Sequence, residues 1–193
     1  MHAAARAFVE RWVRPDRDDP VIEIGSRNVN GGLRDLFPRA PQLQTYVGLD
    51  ILPGPGVDIV ADAATWEPPE LAECVICCEV LEHAQNWRGI LMNACAWLAP
   101  GGRLIVTCAG AGRKPHSAID GEALRPEEHY QNLMMWEVVP CISEVPGMRI
   151  LVSKYDPQGC DVRVVAERGS KQSRLMIWNS PDAVRFGVEE ARP

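Results

Sequence analysis

No stretch of the 193 residues approaches the ~18 consecutive apolar residues of a membrane span, so a transmembrane protein is not expected. No run of Lys or Arg occurs either, and 20 basic residues stand against 26 acidic ones, a net charge of −6. A chain held on bulk nucleic acid or anionic lipid by electrostatics needs the opposite balance. The start, Met1-His2-Ala3-Ala4-Ala5-Arg6, lacks the basic region and apolar core of a secretion signal. Internal repeats and low-complexity segments are missing too. The seven cysteines are an odd number without the spacing of a disulfide framework. Cys74-x-x-Cys77 has the form of a redox or zinc pair, but in a continuous strand residues three apart point to opposite faces. The expectation is therefore reduced, buried thiols in a cytoplasmic protein.

What is present is average in bulk. Apolar residues make up 46% and charged residues 24%, as in soluble globular chains. One domain of this length buries about 70% of its unfolded surface and needs no covalent or metal staple. Phe8, Val9, Trp12 and Val13 recur at helical spacing before Pro15, which predicts a helix over 3–13. Val21-Ile22-Glu23-Ile24, closed by Gly25, reads as a buried strand, and 31–37 as a short helix stopped by Pro38. Strands are expected at 45–49, 57–60 and 73–78, the last apolar throughout, as for a strand covered on both faces. A stripe of Ile90, Leu91, Ala94, Trp97 and Leu98 predicts a helix over 87–98, ended by Ala99-Pro100-Gly101-Gly102, with a fifth strand at 103–108.

Strands alternating with helices imply right-handed crossovers and a parallel sheet. Beyond them, 109–128 reads as a long loop, of a length that is usually functional. A helix over 133–142 interrupted at Pro140 and a closing hairpin of 148–155 and 161–167 complete a single domain spanning 1–170. Residues 171–193 are expected to form a partly mobile extension with one more strand at 175–178. Trp87, Trp97 and Trp136 fall on helical stripes and are assigned to the core, whereas Trp66 and Trp178 sit in less regular surroundings.

The chemistry starts at the turn Gly25-Ser26-Arg27-Asn28-Val29-Asn30-Gly31-Gly32 between the first strand and its helix. Such a turn lets a ligand approach the backbone, and the helix beyond it offers free N–H groups. Asp50, at the end of the second strand, is placed to accept hydrogen bonds from both hydroxyls of a ribose. Together they indicate a nucleoside cofactor. A dinucleotide wants G-x-G-x-x-G, and Gly25-Ser26-Arg27 lacks the second glycine. Glu23, just before the turn, repels a pyrophosphate and suits a ligand with an ammonium group.

Residues 21–32, Tyr46 to Asp50, Asp62-Ala63, Glu79-Val80-Leu81-Glu82-His83 and Leu98-Ala99-Pro100-Gly101-Gly102, in this order, resemble a class I S-adenosylmethionine-dependent methyltransferase, with a methyltransferase type 11-like domain. The resemblance covers about 20–109 and implies a Rossmann-like α/β fold. Its mostly parallel seven-stranded sheet would have the order 3-2-1-4-5-7-6, the last strand antiparallel and helices on both faces. It further implies that Glu23, Gly25 and Gly31 line the methionine end, that Asp50 binds the ribose, that Ile51 packs on adenine, and that Asp62 and Ala63 hold its edge. Ser26, Arg27, Asn28, Glu79 and Val80 complete the cofactor set. Arg27 departs from the usual glycine pattern, with Asn28 or Asn30 as candidates for the left-handed backbone position.

Glu79, Glu82 and His83 lie at i, i+3 and i+4, one face if the segment is helical, turned toward the transferred methyl. Three readings stay open: Glu82 and His83 cap and orient the loop; His83 is a general base; or the group holds a divalent cation, as a similar E-x-x-E-H segment does in some O-methyltransferases. The expectation is no metal, with His83, Glu82 and, from the loop after the fifth strand, His116 as the catalytic candidates; His129 and Tyr130 lie just beyond. The expected activity is methyl transfer from S-adenosylmethionine to an O or N nucleophile of a small molecule, glycan or protein. The alternatives are a non-catalytic S-adenosylmethionine-binding module, for which a disordered 109–130 loop would speak, and an NAD(P)-dependent oxidoreductase.

Overall fold

The computed structural model describes residues 2–37 and 46–170. Helix α1 (Ala3–Trp12) precedes strand β1 (Val21–Ile24), and β2 (Tyr46–Asp50), β3 (Ile59–Val60) and β4 (Ala72–Cys78) follow. Helix α2 (Trp87–Ala96), β5 (Leu98–Ala109), α3 (Met135–Ser143), β6 (Met148–Asp156) and β7 (Asp161–Arg168) complete the order. The strands form one seven-stranded sheet of order β3-β2-β1-β4-β5-β7-β6. β1 is parallel to β2 and β4, and β4 to β5, while β7 is antiparallel to both β5 and β6. This is the expected topology.

Both faces of the sheet are covered, so its central strands are apolar on each side. Ile22, Val75, Cys77, Leu104 and Val106 point to the face packed by α2 and α3. Val21, Cys74, Ile76 and Ile105 point to the face packed by Phe8 and Val9 of α1. Cys74 and Cys77 thus face opposite cores, and all seven cysteines are free thiols, six of them buried.

Several expectations change. Residues 31–37 form no α-helix; a single 3-10 turn at Arg34–Leu36 takes its place, so the first turn is not followed by a helix N-terminus. The Gly31-Gly32 pair is the reason, since glycine in a helix start loses backbone entropy without a side chain to pack. Residues 98–102 belong to β5, where Ala72 pairs with Leu98 and a bulge precedes Cys74. Helix α3 runs through Pro140, with Glu144 N–H donating to the Pro140 carbonyl at 2.9 Å and Glu137 reaching back to the Met134 N–H at 2.9 Å. The carbonyl that Pro140 leaves without its N–H is that of Trp136, on the solvent side. Trp136 itself is 75% exposed rather than in the core, whereas Trp87 and Trp97 are buried. Trp66 packs edge-on against Trp97, ring centroids 5.3 Å apart. The extension 171–193, with the strand expected at 175–178, lies outside the described residues. Among the described residues no helix is long and apolar enough to cross a membrane.

Candidate active site

At the carboxyl ends of β1, β2 and β4, where the strand order reverses direction, a cavity of about 460 Å³ opens. Crevices of α/β sheets form at such a switch point because neighbouring loops leave to opposite faces. One end is built from the turns after β1 and β2. Gly25 and Ser26 donate to the Leu49 carbonyl at 2.8 and 3.1 Å, and Asn28 N–H to the Pro55 carbonyl at 2.8 Å, which stitches the two turns together. Gly25 has φ +77°, and a Cβ there would lie 2.1 Å from Cγ2 of Val80, so the position excludes a side chain on two grounds. Gly31 takes the other left-handed position of this turn at φ +117°; Asn28 and Asn30 do not, and Asn28 instead accepts from the Gly31 N–H at 2.8 Å.

Glu23 lines the cavity although only 7% exposed. Burial pushes its carboxyl up to about 7, opposed by a 2.6 Å hydrogen bond from the Tyr46 hydroxyl. Asp50 ends β2 with Oδ2 accepting from Arg27 N–H at 3.2 Å and Oδ1 from Leu52 N–H at 2.9 Å, so two backbone donors aim the carboxylate. Ile51 stands at the rim, 66% exposed. Asp62 closes its own turn onto Ala64 N–H at 2.8 Å, and Asn93 of α2 holds the Ala63 carbonyl at 2.9 Å. Ser26, Arg27, Gly31, Ala63, Glu79 and Val80 also line the cavity; Asn28, expected in the cofactor set, does not.

The other end is built from the segment after β4 and from the loop of residues 110–134. Glu79, Glu82 and His83 do not share one face, because Glu79 adopts φ +56° and only Leu81–His83 form a 3-10 turn. Glu79 turns to Thr107, whose hydroxyl donates at 2.8 Å, and to Arg113 at 3.4 Å. Glu82 is wholly buried, its Oε1 accepting from Ala109 N–H at 3.2 Å and its carbonyl from Gln131 N–H at 2.9 Å. Burial, then the neighbouring Glu79, raises its carboxyl well above the ordinary range. His83 meets His116 and Tyr130 edge-on, with ring centroids 5.0 and 5.3 Å away. Burial, reinforced by His116, lowers His83 to about 4, which leaves it neutral at pH 7.

The loop is tied down along its length. Glu128 accepts from the Ser117 hydroxyl and from the N–H groups of Ala118 and Arg125 at 2.8–3.1 Å. Arg113 also donates to Asp161 of β7 at 2.9 Å, and His2 stands 2.9 Å from the same carboxylate. Tyr46, Arg113, Tyr130 and Asp161 were not singled out from the sequence as site residues, because the partners that tie them to Glu23, Glu79, His83 and each other lie 20 or more residues away and leave no local spacing signal.

The family model for a methyltransferase domain matches residues 1–135, more than two thirds of the chain. No curated protein sequence matches significantly. Among solved structures, the N-methyltransferase NodS from Bradyrhizobium japonicum WM9, in complex with S-adenosylhomocysteine, superposes with a TM-score of 0.59 at 14% identity, covering 86% of this chain and 85% of its own. Magnesium protoporphyrin IX methyltransferase from Synechocystis PCC 6803, with bound S-adenosylhomocysteine, gives 0.61 at 17% identity, covering 86% and 83%. The 1,6-didemethyltoxoflavin-N1-methyltransferase of Burkholderia thailandensis gives 0.61 at 12% identity, covering 87% and 78%.

Proposed function

This chain belongs to the methyltransferase domain family, and from that premise we propose that it transfers a methyl group from S-adenosylmethionine to an oxygen or nitrogen of a small molecule. The cofactor supplies a methyl already activated on a sulfonium, so what remains for the protein is to bind, orient and exclude water. The observation that carries the reading is the composition of the first end of the cavity. A buried carboxyl faces it beside a glycine that leaves no room for a side chain, a carboxylate held by two backbone N–H groups ends β2, and an exposed isoleucine stands at the rim. These fit, in order, an ammonium, a ribose diol and a purine face. Glu23, Gly25 and Gly31 hold the methionine end, Asp50 the ribose, and Ile51, Asp62 and Ala63 the adenine.

His83, His116 and Glu82 act on the acceptor. His83 and His116 line the opposite end of the same cavity, and a neutral imidazole keeps a lone pair for a proton or an electrophile. The small-molecule class is supported by the structural neighbours, whose named acceptors include a didemethyltoxoflavin and a magnesium porphyrin. The family match favours this reading over an oxidoreductase, and the pinned 110–134 loop favours an enzyme over a bare binding module.

Differential scanning fluorimetry tests the cofactor. S-adenosylmethionine and S-adenosylhomocysteine are expected to raise the melting temperature, with about 2.7 kcal/mol of added stability at 100 times the dissociation constant. NAD(H) and NADP(H) are expected to leave it unchanged, and a shift with NAD(H) alone would overturn the assignment.

A further inference from the structure

We propose that Glu82, His83 and His116 hold a divalent transition-metal cation at the acceptor end of the cavity; its role in presenting an acceptor rests on the methyl-transfer reading, while its binding does not. One potential ligand atom of each residue lies within 4.8 Å of the other two. The sequence alone argued for no metal, because its ligands would come from a loop and one turn. The structure changes that balance by gathering them around two buried atoms that have no partner. Oε2 of the wholly buried Glu82 has no hydrogen-bond partner, and neither does the buried Nδ1 of His83. Buried polar atoms are almost always paired, so two such atoms on one cluster call for a missing partner.

The neighbouring cations do not fill that place. Arg113 is engaged by Glu79 and Asp161, and among the described residues no ion pair reaches Glu82. Glu79 stands outside the set, since Thr107 and Arg113 occupy its oxygens. A second gathering of His2, Glu79 and Asp161 already holds the guanidinium groups of Arg113 and Arg163 and needs no metal.

His116 is set up as a ligand from outside. Its Nδ1 lies 3.1 Å from the Lys114 carbonyl, and an N–H donated there leaves Nε2 as the lone pair. A backbone carbonyl on the far nitrogen is the usual way a metal-binding imidazole is oriented. Two imidazoles and one carboxylate favour zinc, cobalt, iron or manganese over magnesium and calcium, which prefer all-oxygen sites. Because His83 and His116 face the cavity, the positions left open on the cation face it too. There a hydroxyl or amine of the acceptor can bind and become easier to deprotonate.

The test uses the untagged full chain, stripped with chelator and titrated by calorimetry with Zn²⁺, Co²⁺, Mn²⁺ and Mg²⁺, with the visible absorption of Co²⁺ recorded alongside. The expected result is one site per chain, Mg²⁺ the weakest of the four, and Co²⁺ bands that report nitrogen ligands. His116→Ala, at a half-buried loop position outside the sheet, is expected to fold, to weaken Co²⁺ at least tenfold and to change the bands; Glu82→Gln and His83→Ala should do the same. No binding by any of the four metals, a preference for Mg²⁺, or unchanged Co²⁺ binding in folded His116→Ala would overturn the proposal. S-adenosylhomocysteine binding, measured on the same samples, separates the two readings. Its failure removes the methyltransferase function and leaves the metal result standing.

Discussion

The two ends of the cavity are built by different means. The cofactor end is made by turns that leave β1 and β2 directly, and its groups are aimed by backbone N–H donors within three residues of a strand. The acceptor end is made by side chains meeting across long intervals: His83 with His116 and Tyr130, Glu79 with Arg113, Arg113 with Asp161. Parallel strands oblige the first kind of site, because every loop on that side starts at the same edge of the sheet. Nothing in the sheet obliges the second. The acceptor end is therefore where members of one fold can differ in what they methylate.

The comparison predicts that damage at one end leaves the other intact. His83→Ala is expected to lower turnover by about 10² or more, as loss of a group acting on the reacting proton or its carrier does, while S-adenosylmethionine affinity stays within about twofold. Asp50→Ala should do the reverse. It loses charged hydrogen bonds of about 1.5–3 kcal/mol, so affinity falls tenfold or more, and turnover at saturating cofactor is retained. Calorimetry with S-adenosylhomocysteine and single-turnover rates with the acceptor measure the two effects. Equal losses of affinity and rate in either variant would show that the ends are not separable.

That division also explains what could be read without a structure. β1, β2, β4 and β5 were legible because a strand buried on both faces is an apolar run, and the places of Gly25, Asp50 and Asp62 on the cavity wall because each sits at or just beyond the end of a strand. Trp136 was misplaced because helical periodicity locates a stripe but not what covers it, and among the described residues nothing covers Trp136 on α3. The common face expected for Glu79, Glu82 and His83 failed at one backbone angle. Glu79 at φ +56° takes its carboxylate to Thr107 and Arg113, a conformation that sequence spacing does not report for a residue other than glycine. His116 was a candidate only by its place in the loop after the fifth strand and Tyr130 only its neighbour, and it is the fold of the loop that brings both to His83.

A pH series sharpens the account of the cofactor end. The Glu23 carboxyl is raised from 4.5 to about 7, chiefly by burial. Between those values the folded chain holds a proton that the unfolded chain has lost. The resulting stability is complete below pH 4.5 and disappears as the pH rises through 7. At 1.36 kcal/mol per unit this amounts to about 3 kcal/mol, and Glu23→Gln should remove that slope from the ligand-free protein. Cofactor affinity should run the other way, rising between about pH 6 and 7.5 as the carboxylate forms to meet the ammonium, and staying flat in Glu23→Gln. Chemical denaturation and calorimetry at several pH values check both. An affinity that does not rise with pH would take Glu23 out of contact with the ammonium.

The smallest expected effect is at a point where the two ends touch. Arg27, standing where the family pattern has glycine, crosses from the cofactor turn to donate from Nη2 to the Ile119 carbonyl at 2.8 Å. Its stem lies against Gly54, where an added Cβ would come within 3.0 Å of it. The neighbouring Asn30 lies beside Gly121, which has φ +80° and could not carry a side chain there without strain. The bond to Ile119 is exposed, so its loss costs about 0.5–1.5 kcal/mol at most. That is too little to unfold the loop, which Glu128 holds independently. It is enough to change how long the loop stays over the cofactor. Arg27→Ala is therefore expected to speed S-adenosylhomocysteine dissociation roughly two- to tenfold, with association and melting temperature nearly unchanged. Stopped-flow displacement measures the rate. An unchanged rate would mean that the loop closes over the cofactor without Arg27, and that the ends of the cavity are joined through the sheet alone.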